Sequence, residues 1–249
     1  MAGTQRTGTT LLRTSLSSHP EIICHGEIFN LGKPPYRLPG GYWAFTRQDI
    51  LHRLKAAFLP ERSYRRFLAE LYGQRECKAI GFKLMLSQCK ARPALWPVVA
   101  ESDVKVILVT RRNVLKTLIS RRAAAASGVY HVSASLPVAT AVAKWESQPI
   151  TIDSNTIIRD LDEIAKETAE WKERLSSLTF MELIYEEYFR DQSNWNAKVL
   201  DFIGVPERSL TSDLKKVNSS KLEDLIVNYD EIAGVVRDSD YSFCLDLAY

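Results

Sequence analysis

The chain has 249 residues, 45% of them hydrophobic, and a formal net charge of +3. That length and apolar content suit a single α/β domain spanning 1–249 with a core large enough to need no staples, and the charge is too small to argue for a nucleic-acid partner. The four cysteines, Cys24, Cys77, Cys89 and Cys244, lack CxxC or metal-ligand spacing and are expected to be reduced thiols, with no metal site.

The chain opens on Met1-Ala-Gly-Thr-Gln-Arg-Thr-Gly-Thr-Thr10, with Gly3 and Gly8 five apart. That is the frame of a phosphate-binding loop, G-x-x-x-x-G-K-[ST], with Thr9 at the lysine position, Thr10 at the hydroxyl position and a cation inside the loop at Arg6. Backbone amides of such a turn and of the helix after it cradle an anion with or without the lysine. Only Met1-Ala2 precede the loop, so the first strand is expected to be very short or truncated.

Residues 9–18 read as the helix after the loop, stopped by His19-Pro20. A short apolar run over 21–25 is a candidate strand, with Gly26 and Glu27 just past its end. Residues 31–41 are Gly/Pro-rich loop, and helical spacing follows over 49–58 (Ile50, Leu51, Leu54, Phe58) and 63–72. Residues 79–86 read as a strand, Ile80, Phe82 and Leu84 on one face, Lys83 and Met85 on the other. Val104-Lys-Val-Ile-Leu-Val109 is the clearest buried strand and runs into Thr110-Arg111-Arg112-Asn113, then a helix over 114–126. Residues 128–149 show little periodicity outside 138–145, and 128–155 read as a substrate loop or lid, with Tyr130, His131 and Trp145 as aromatic candidates for a sugar, beside Trp43 earlier in the chain. A long amphipathic helix is expected over 156–175, a strand over 178–184, and one helix from Tyr185-Glu186 to about Ile203, ended by Gly204-Val-Pro206. The tail carries Lys215-Lys216 and short helical pieces at 222–226 and 229–236. No run of about eighteen apolar residues offers a transmembrane span, no leader is evident, and the cytoplasm is the expected compartment.

Apolar strands alternating with helices point to a mostly parallel sheet covered on both faces. Ligands of such sheets bind at the carboxyl ends of strands, where Gly3–Gly8, Glu27, Arg111–Arg112 and Tyr185–Glu186 all fall. A nucleoside triphosphatase needs the loop lysine and a strand-end acid for magnesium. Here the best strand ends in Thr110-Arg111 instead. Ser120 lies eight residues after Arg112, two helical turns up, a spacing that can hold a second phosphate.

Two stretches together carry a resemblance. Gln5-Arg6-Thr7-Gly8-Thr9-Thr10-Leu11-Leu12 with His19-Pro20 resembles the 5′-phosphosulfate loop of sulfotransferases that use 3′-phosphoadenylyl sulfate (PAPS), and Arg112-Asn113 with Ser120 resembles their 3′-phosphate motif. His25-Gly-Glu-Ile-Phe29, Gly81-Phe-Lys-Leu-Met85 and Tyr185-Glu186 with Phe202-Ile-Gly-Val205 are similar to bacterial carbohydrate sulfotransferases of the Nod-factor and trehalose type.

The resemblance implies the P-loop-like sulfotransferase fold and a metal-independent enzyme. Gln5, Arg6, Thr7, Gly8, Thr9 and Thr10 would hold the 5′ end of PAPS, Arg112 and Ser120 the 3′ phosphate, and adenosine 3′,5′-bisphosphate would be the product. Arg6 would act as electrostatic stabiliser and Glu27 as general base, with His25 as its rival. Lys83 would meet the substrate or the transferred sulfate, and the acceptor would be a small molecule or carbohydrate. The usual Arg-Lys-Gly adenine-side pattern is absent from the tail. A P-loop kinase or nucleotidase, or a relative that binds nucleotide without chemistry, are the competing readings.

Overall fold

A computed structural model describes residues 1–30, 40–73, 77–127, 149–212 and 221–246. The expected lid (128–148 of it), its aromatics Tyr130, His131 and Trp145, and Lys215-Lys216 lie outside the described residues.

The centre is a four-stranded, fully parallel sheet in the order β4-β1-β5-β6, formed by β1 (Ala2–Gly3), β4 (Leu84–Met85), β5 (Val106–Thr110) and β6 (Phe180–Ile184). β2 (Ile22–Cys24) and β3 (Ala79–Gly81) pair in parallel beside it. The strand expected over 79–86 is thus split. It pairs with β2 up to Gly81, and crosses to β1 at Phe82, whose carbonyl accepts from the Met1 amine, and Leu84, whose N–H donates to the Met1 carbonyl. Alternation survives the break: Phe82 and Leu84 join the core, while Lys83 points to the other side of the strand.

β1 is only two residues long, yet it is central. Ala2 pairs with both Leu84 and Leu108, and Gly3 with Met85 and Val109. Its chain leaves through the loop into α1 (Thr9–Ser17), which returns to β2 on one side, whereas β5 and β6 lie on the other. The loop therefore opens at the point where strand order reverses, the place where such sheets bind ligands. A third tie fixes β1: the indole Nε1 of Trp171, fully buried, donates to the Gly3 carbonyl at 2.9 Å. Trp171 belongs to α8 (Ile157–Leu175), whose inward face is Ile157, Leu161, Ile164, Trp171 and Leu175, as its sequence periodicity requires.

α2 (Tyr42–Phe45), α3 (Ile50–Phe58), α4 (Pro60–Tyr72), α5 (Leu86–Ala91) and α6 (Leu95–Ala100) fill the stretch between β2 and β5, with β3 and β4 among them. Phe29, Tyr42, Tyr64 and Phe67 form an aromatic cluster with centroids 4.7–5.8 Å apart that carries α4 against the core. α3 behaves differently. Asp49 caps it by accepting from the His52 N–H at 2.8 Å; its apolar stripe faces water, while His52 packs edge-on against Phe45.

α7 (Val114–Ser127) follows β5. The single helix expected over 185–203 is two, α9 (Tyr185–Arg190) and α10 (Gln192–Ile203), because Asp191 leaves helical geometry and caps the second by accepting from the Asn194 N–H. Gly204, with φ of 78°, ends α10 in the left-handed conformation. α11 (Tyr229–Arg237) and α12 (Phe243–Asp246) close the described chain, and residues 222–226 form turns with a single bridge from Ile226 to Ile150 instead of a helix. All four cysteines are free thiols.

Candidate active site

Every strand end named from sequence opens on the same edge of the sheet, because the pairing is parallel throughout. The loop of residues 4–8 is held without spare room. A Cβ on Gly3 would meet Thr9 Cγ2 at 2.9 Å and the Val109 carbonyl at 3.1 Å. Gly8 has φ of 94°, and a Cβ there would collide with the Tyr185 ring. Thr7 donates its hydroxyl to the Thr4 carbonyl at 3.0 Å, while the buried Thr4 hydroxyl has no partner among the described residues. α1 begins at Gly8 with no side-chain cap, so its first amides face the cleft as anion donors.

Two guanidinium groups flank the loop. Arg6, itself at a positive φ of 67°, directs Nε to Ser120 Oγ at 2.7 Å, so the loop cation and the hydroxyl expected to hold the 3′ phosphate meet directly. Arg111 lies across from it, with an Nη donating to the Arg6 carbonyl at 3.4 Å and the guanidinium stacked 4.8 Å from the Tyr185 ring centroid. Burial lowers both arginine pKa values, and for Arg6 the nearby Arg111 charge adds to the effect. Two partly buried like charges close together are stabilised by an anion between them, and the Glu186 carboxylate is 3.8 Å from Arg111 Nε.

Glu186 does something else as well. Its two carboxylate oxygens accept from the Arg112 and Asn113 backbone N–H groups at 3.0 and 3.1 Å, at the start of α7. It lies in the first turn of its own helix, α9, yet it caps the neighbouring one. Arg112 turns outward. Its side chain is half exposed and paired with Glu187 at 2.5 Å, so Arg112 and Ser120 are not brought together, and Arg111 occupies the inward place. A signal for this was available. Ile107 and Val109 pack on the α1 side of β5, and alternation carried one step on puts Arg111, not Arg112, on that side.

On the opposite flank, Lys83 is buried and bridges two elements. Its Nζ lies 3.0 Å from Glu27 Oε1 and donates to Thr10 Oγ1 at 3.4 Å. Gln88 donates to Glu27 Oε2 at 3.0 Å, and Asn30 to the same oxygen at 3.4 Å. Burial lowers the Lys83 pKa, the ion pair with Glu27 opposes that, and Arg13 and Arg6 add to it. His25 is half-buried with Nε2 lacking a partner among the described residues, and burial lowers its pKa, which favours the neutral ring. His19 is structural, its ring bonded to the Pro206 carbonyl and the Glu21 N–H. Gln5 lies on the loop's exposed outer side, its carbonyl accepting from Arg121.

The site thus combines an amide cradle, two partly buried guanidiniums, and a lysine that joins the cradle to a carboxylate. Such an arrangement can hold a doubly anionic group at the loop and place a base beside it. A crystal structure of a sulfotransferase from Alicyclobacillus acidocaldarius is similar over 87% of this chain and 84% of its own, at 17% identity and a TM-score of 0.48. Nodulation protein H of Rhizobium meliloti (strain 1021) is 23% identical over 249 residues, covering 98% of this chain and 92% of that protein. The profile of the sulfotransferase family matches residues 1–209, from the phosphate loop through both guanidiniums, Lys83, Glu27 and Glu186, and on that span the chain belongs to the sulfotransferase family.

Proposed function

We propose that the chain moves the sulfuryl group of PAPS to a hydroxyl of a carbohydrate or glycolipid acceptor. The observation that carries this reading is Lys83, shared between Glu27 and Thr10: acid, cation and phosphate loop meet at one point. The donor fits the residues present. The cradle leaves no space for side chains at Gly3 and Gly8, and the adjacent Arg6 and Arg111 charges call for an anion. Loop amides with Arg6, Thr7, Thr9 and Thr10 would hold the 5′ end, and Ser120 the 3′ phosphate, with Arg112 joining it by leaving Glu187, an exposed pair of small net worth. When bound, PAPS supplies a sulfuryl group attached to a leaving phosphate. Glu27 takes the proton of the acceptor hydroxyl, Gln88 fixes the orientation of that carboxylate, and Lys83 and Arg6 neutralise charge toward the loop. His25 is the second candidate base because its Nε2 lacks a partner among the described residues.

Radiolabelled sulfate transfer from PAPS to a panel of sugars, glycolipids and phenols tests the reaction, and adenosine 3′,5′-bisphosphate binding tests the site. Glu27→Gln is expected to retain bisphosphate affinity and lose turnover by about a hundredfold or more, the usual worth of a general base. Full activity in that variant moves the base to His25. Wild-type protein that binds the bisphosphate but labels no acceptor of the panel removes the transferase reading, and Arg112→Ala with unchanged affinity removes Arg112 from the site.

A further inference from the structure

Seven large hydrophobic residues are exposed among the described residues, and five of them, Ile50, Leu51, Leu54, Phe58 and Leu59, fall within ten positions on and just after α3. Their exposures run from 46 to 76%. Apolar residues scattered singly on a surface need no explanation, but a contiguous stripe does. At about 100° per residue, Ile50, Leu54, Phe58 and Leu51 share an arc of roughly 100°, while His52 falls near the opposite side. The structure agrees, since His52 is buried against Phe45 and the stripe points straight out.

The charges around the stripe have an order. On the same wheel Arg53 lies on one border of the apolar arc and Lys55 on the other. Arg47 before the helix and Arg62 after it are exposed too. Against these four cations the stretch 47–62 holds two acids, Asp49 and Glu61, and Asp49 is engaged in capping α3 and pairing with His52. An apolar arc pointing at solvent with cations on both borders is the layout of a helix lying in a lipid interface, where long basic side chains reach the headgroups as the arc enters the acyl boundary. A second copy is a poorer occupant: a two-fold pairing of this face brings basic borders against basic borders.

We propose that the outward face of α3 docks the protein reversibly on an anionic phospholipid surface. The helix is about 14 Å long at 1.5 Å per residue, which suits shallow peripheral contact. The inference rests on α3 alone and stands or falls independently of the transfer chemistry.

Vesicle flotation of the whole chain tests it, with phosphatidylcholine vesicles containing about a third phosphatidylglycerol against pure phosphatidylcholine. The protein is expected to float with the anionic vesicles, and to be released by high salt. Each cation near such a surface is worth roughly fivefold in partitioning, so neutralising two, in Arg53→Gln/Lys55→Gln, is expected to weaken it about thirtyfold. Leu54→Glu/Phe58→Glu is expected to abolish it. Both residues are exposed, so the fold survives, which circular dichroism and bisphosphate binding check; Val227→Glu, at an exposed apolar residue elsewhere, is expected to float like wild type. Wild-type protein that stays at the bottom with anionic vesicles, or Leu54→Glu/Phe58→Glu protein that floats unchanged, overturns the proposal. So does a concentration-dependent dimer in sedimentation velocity that the same double variant dissolves, which assigns the face to a second copy.

Discussion

Gly8→Ala tests how the loop is held. Two costs add at this position. The backbone stands at φ of 94°, where an L-residue pays about 1–2 kcal/mol. The new methyl also overlaps the Tyr185 ring, with Cε2 only 3.0 Å away and Cδ2 closer; forcing such a group into a packed site costs about 1–3 kcal/mol. Tyr185 has little freedom to retreat, because the stacked Arg111 and the Phe189 ring also lie against it. The sum is about 2–5 kcal/mol, a large part of the roughly 5–15 kcal/mol that holds a domain folded. Urea unfolding of wild type, Gly8→Ala, Tyr185→Ala and the double variant separates the two costs. Removing the ring leaves only the backbone strain, so Gly8→Ala is expected to cost about 1–2 kcal/mol in the Tyr185→Ala background, a coupling of about 1–3 kcal/mol. Equal costs in both backgrounds would refute the ring contact as the reason for glycine at this position. A cost under about 0.5 kcal/mol would refute the strain as well.

Arg111→Met removes the inward charge while keeping volume. It is expected to weaken bisphosphate binding by about ten- to a hundredfold, read by calorimetry. Lys83 has a pKa lowered by burial, so it loses its proton, and its hold on Glu27 and Thr10, at a lower pH than an exposed lysine. Turnover is expected to fall as pH rises through that lowered value, and Lys83→Arg to shift the alkaline limb upward in a pH–rate profile. Glu186→Gln halves the acceptors that meet the Arg112 and Asn113 amides and is expected to cost about 1–3 kcal/mol, a drop of some 2–12 °C in melting temperature for a chain this long.

Much of the site was legible because a parallel sheet gathers strand ends on one edge. Gly3–Gly8, Glu27, Lys83 and Tyr185–Glu186 needed only motif spacing, alternation and that rule. Three of the features that were not legible each have a physical reason. The break in the strand over 79–86 depends on which neighbour, β2 or β1, each backbone group meets, and a single run of alternating residues says nothing of partners. The outward turn of Arg112 and the inward place of Arg111 follow from the parity of one residue past the end of β5, where a motif written by sequence spacing outweighed alternation. The outward face of α3 carries the same periodicity as a core-facing helix, and periodicity marks a face without saying what lies opposite it.

Lys83 has a consequence for the order of events on the proposed reading. One ammonium divided between a loop hydroxyl and a carboxylate cannot serve both fully. An anion arriving at the loop draws that charge toward itself, and Glu27 then keeps a smaller share of its partner. Donor occupancy and the Lys83–Glu27 ion pair are therefore linked variables, and the linkage is reciprocal: whatever loosens that pair must also change the affinity for the donor. On the proposed reading, donor and carboxylate are thus coupled through one shared nitrogen.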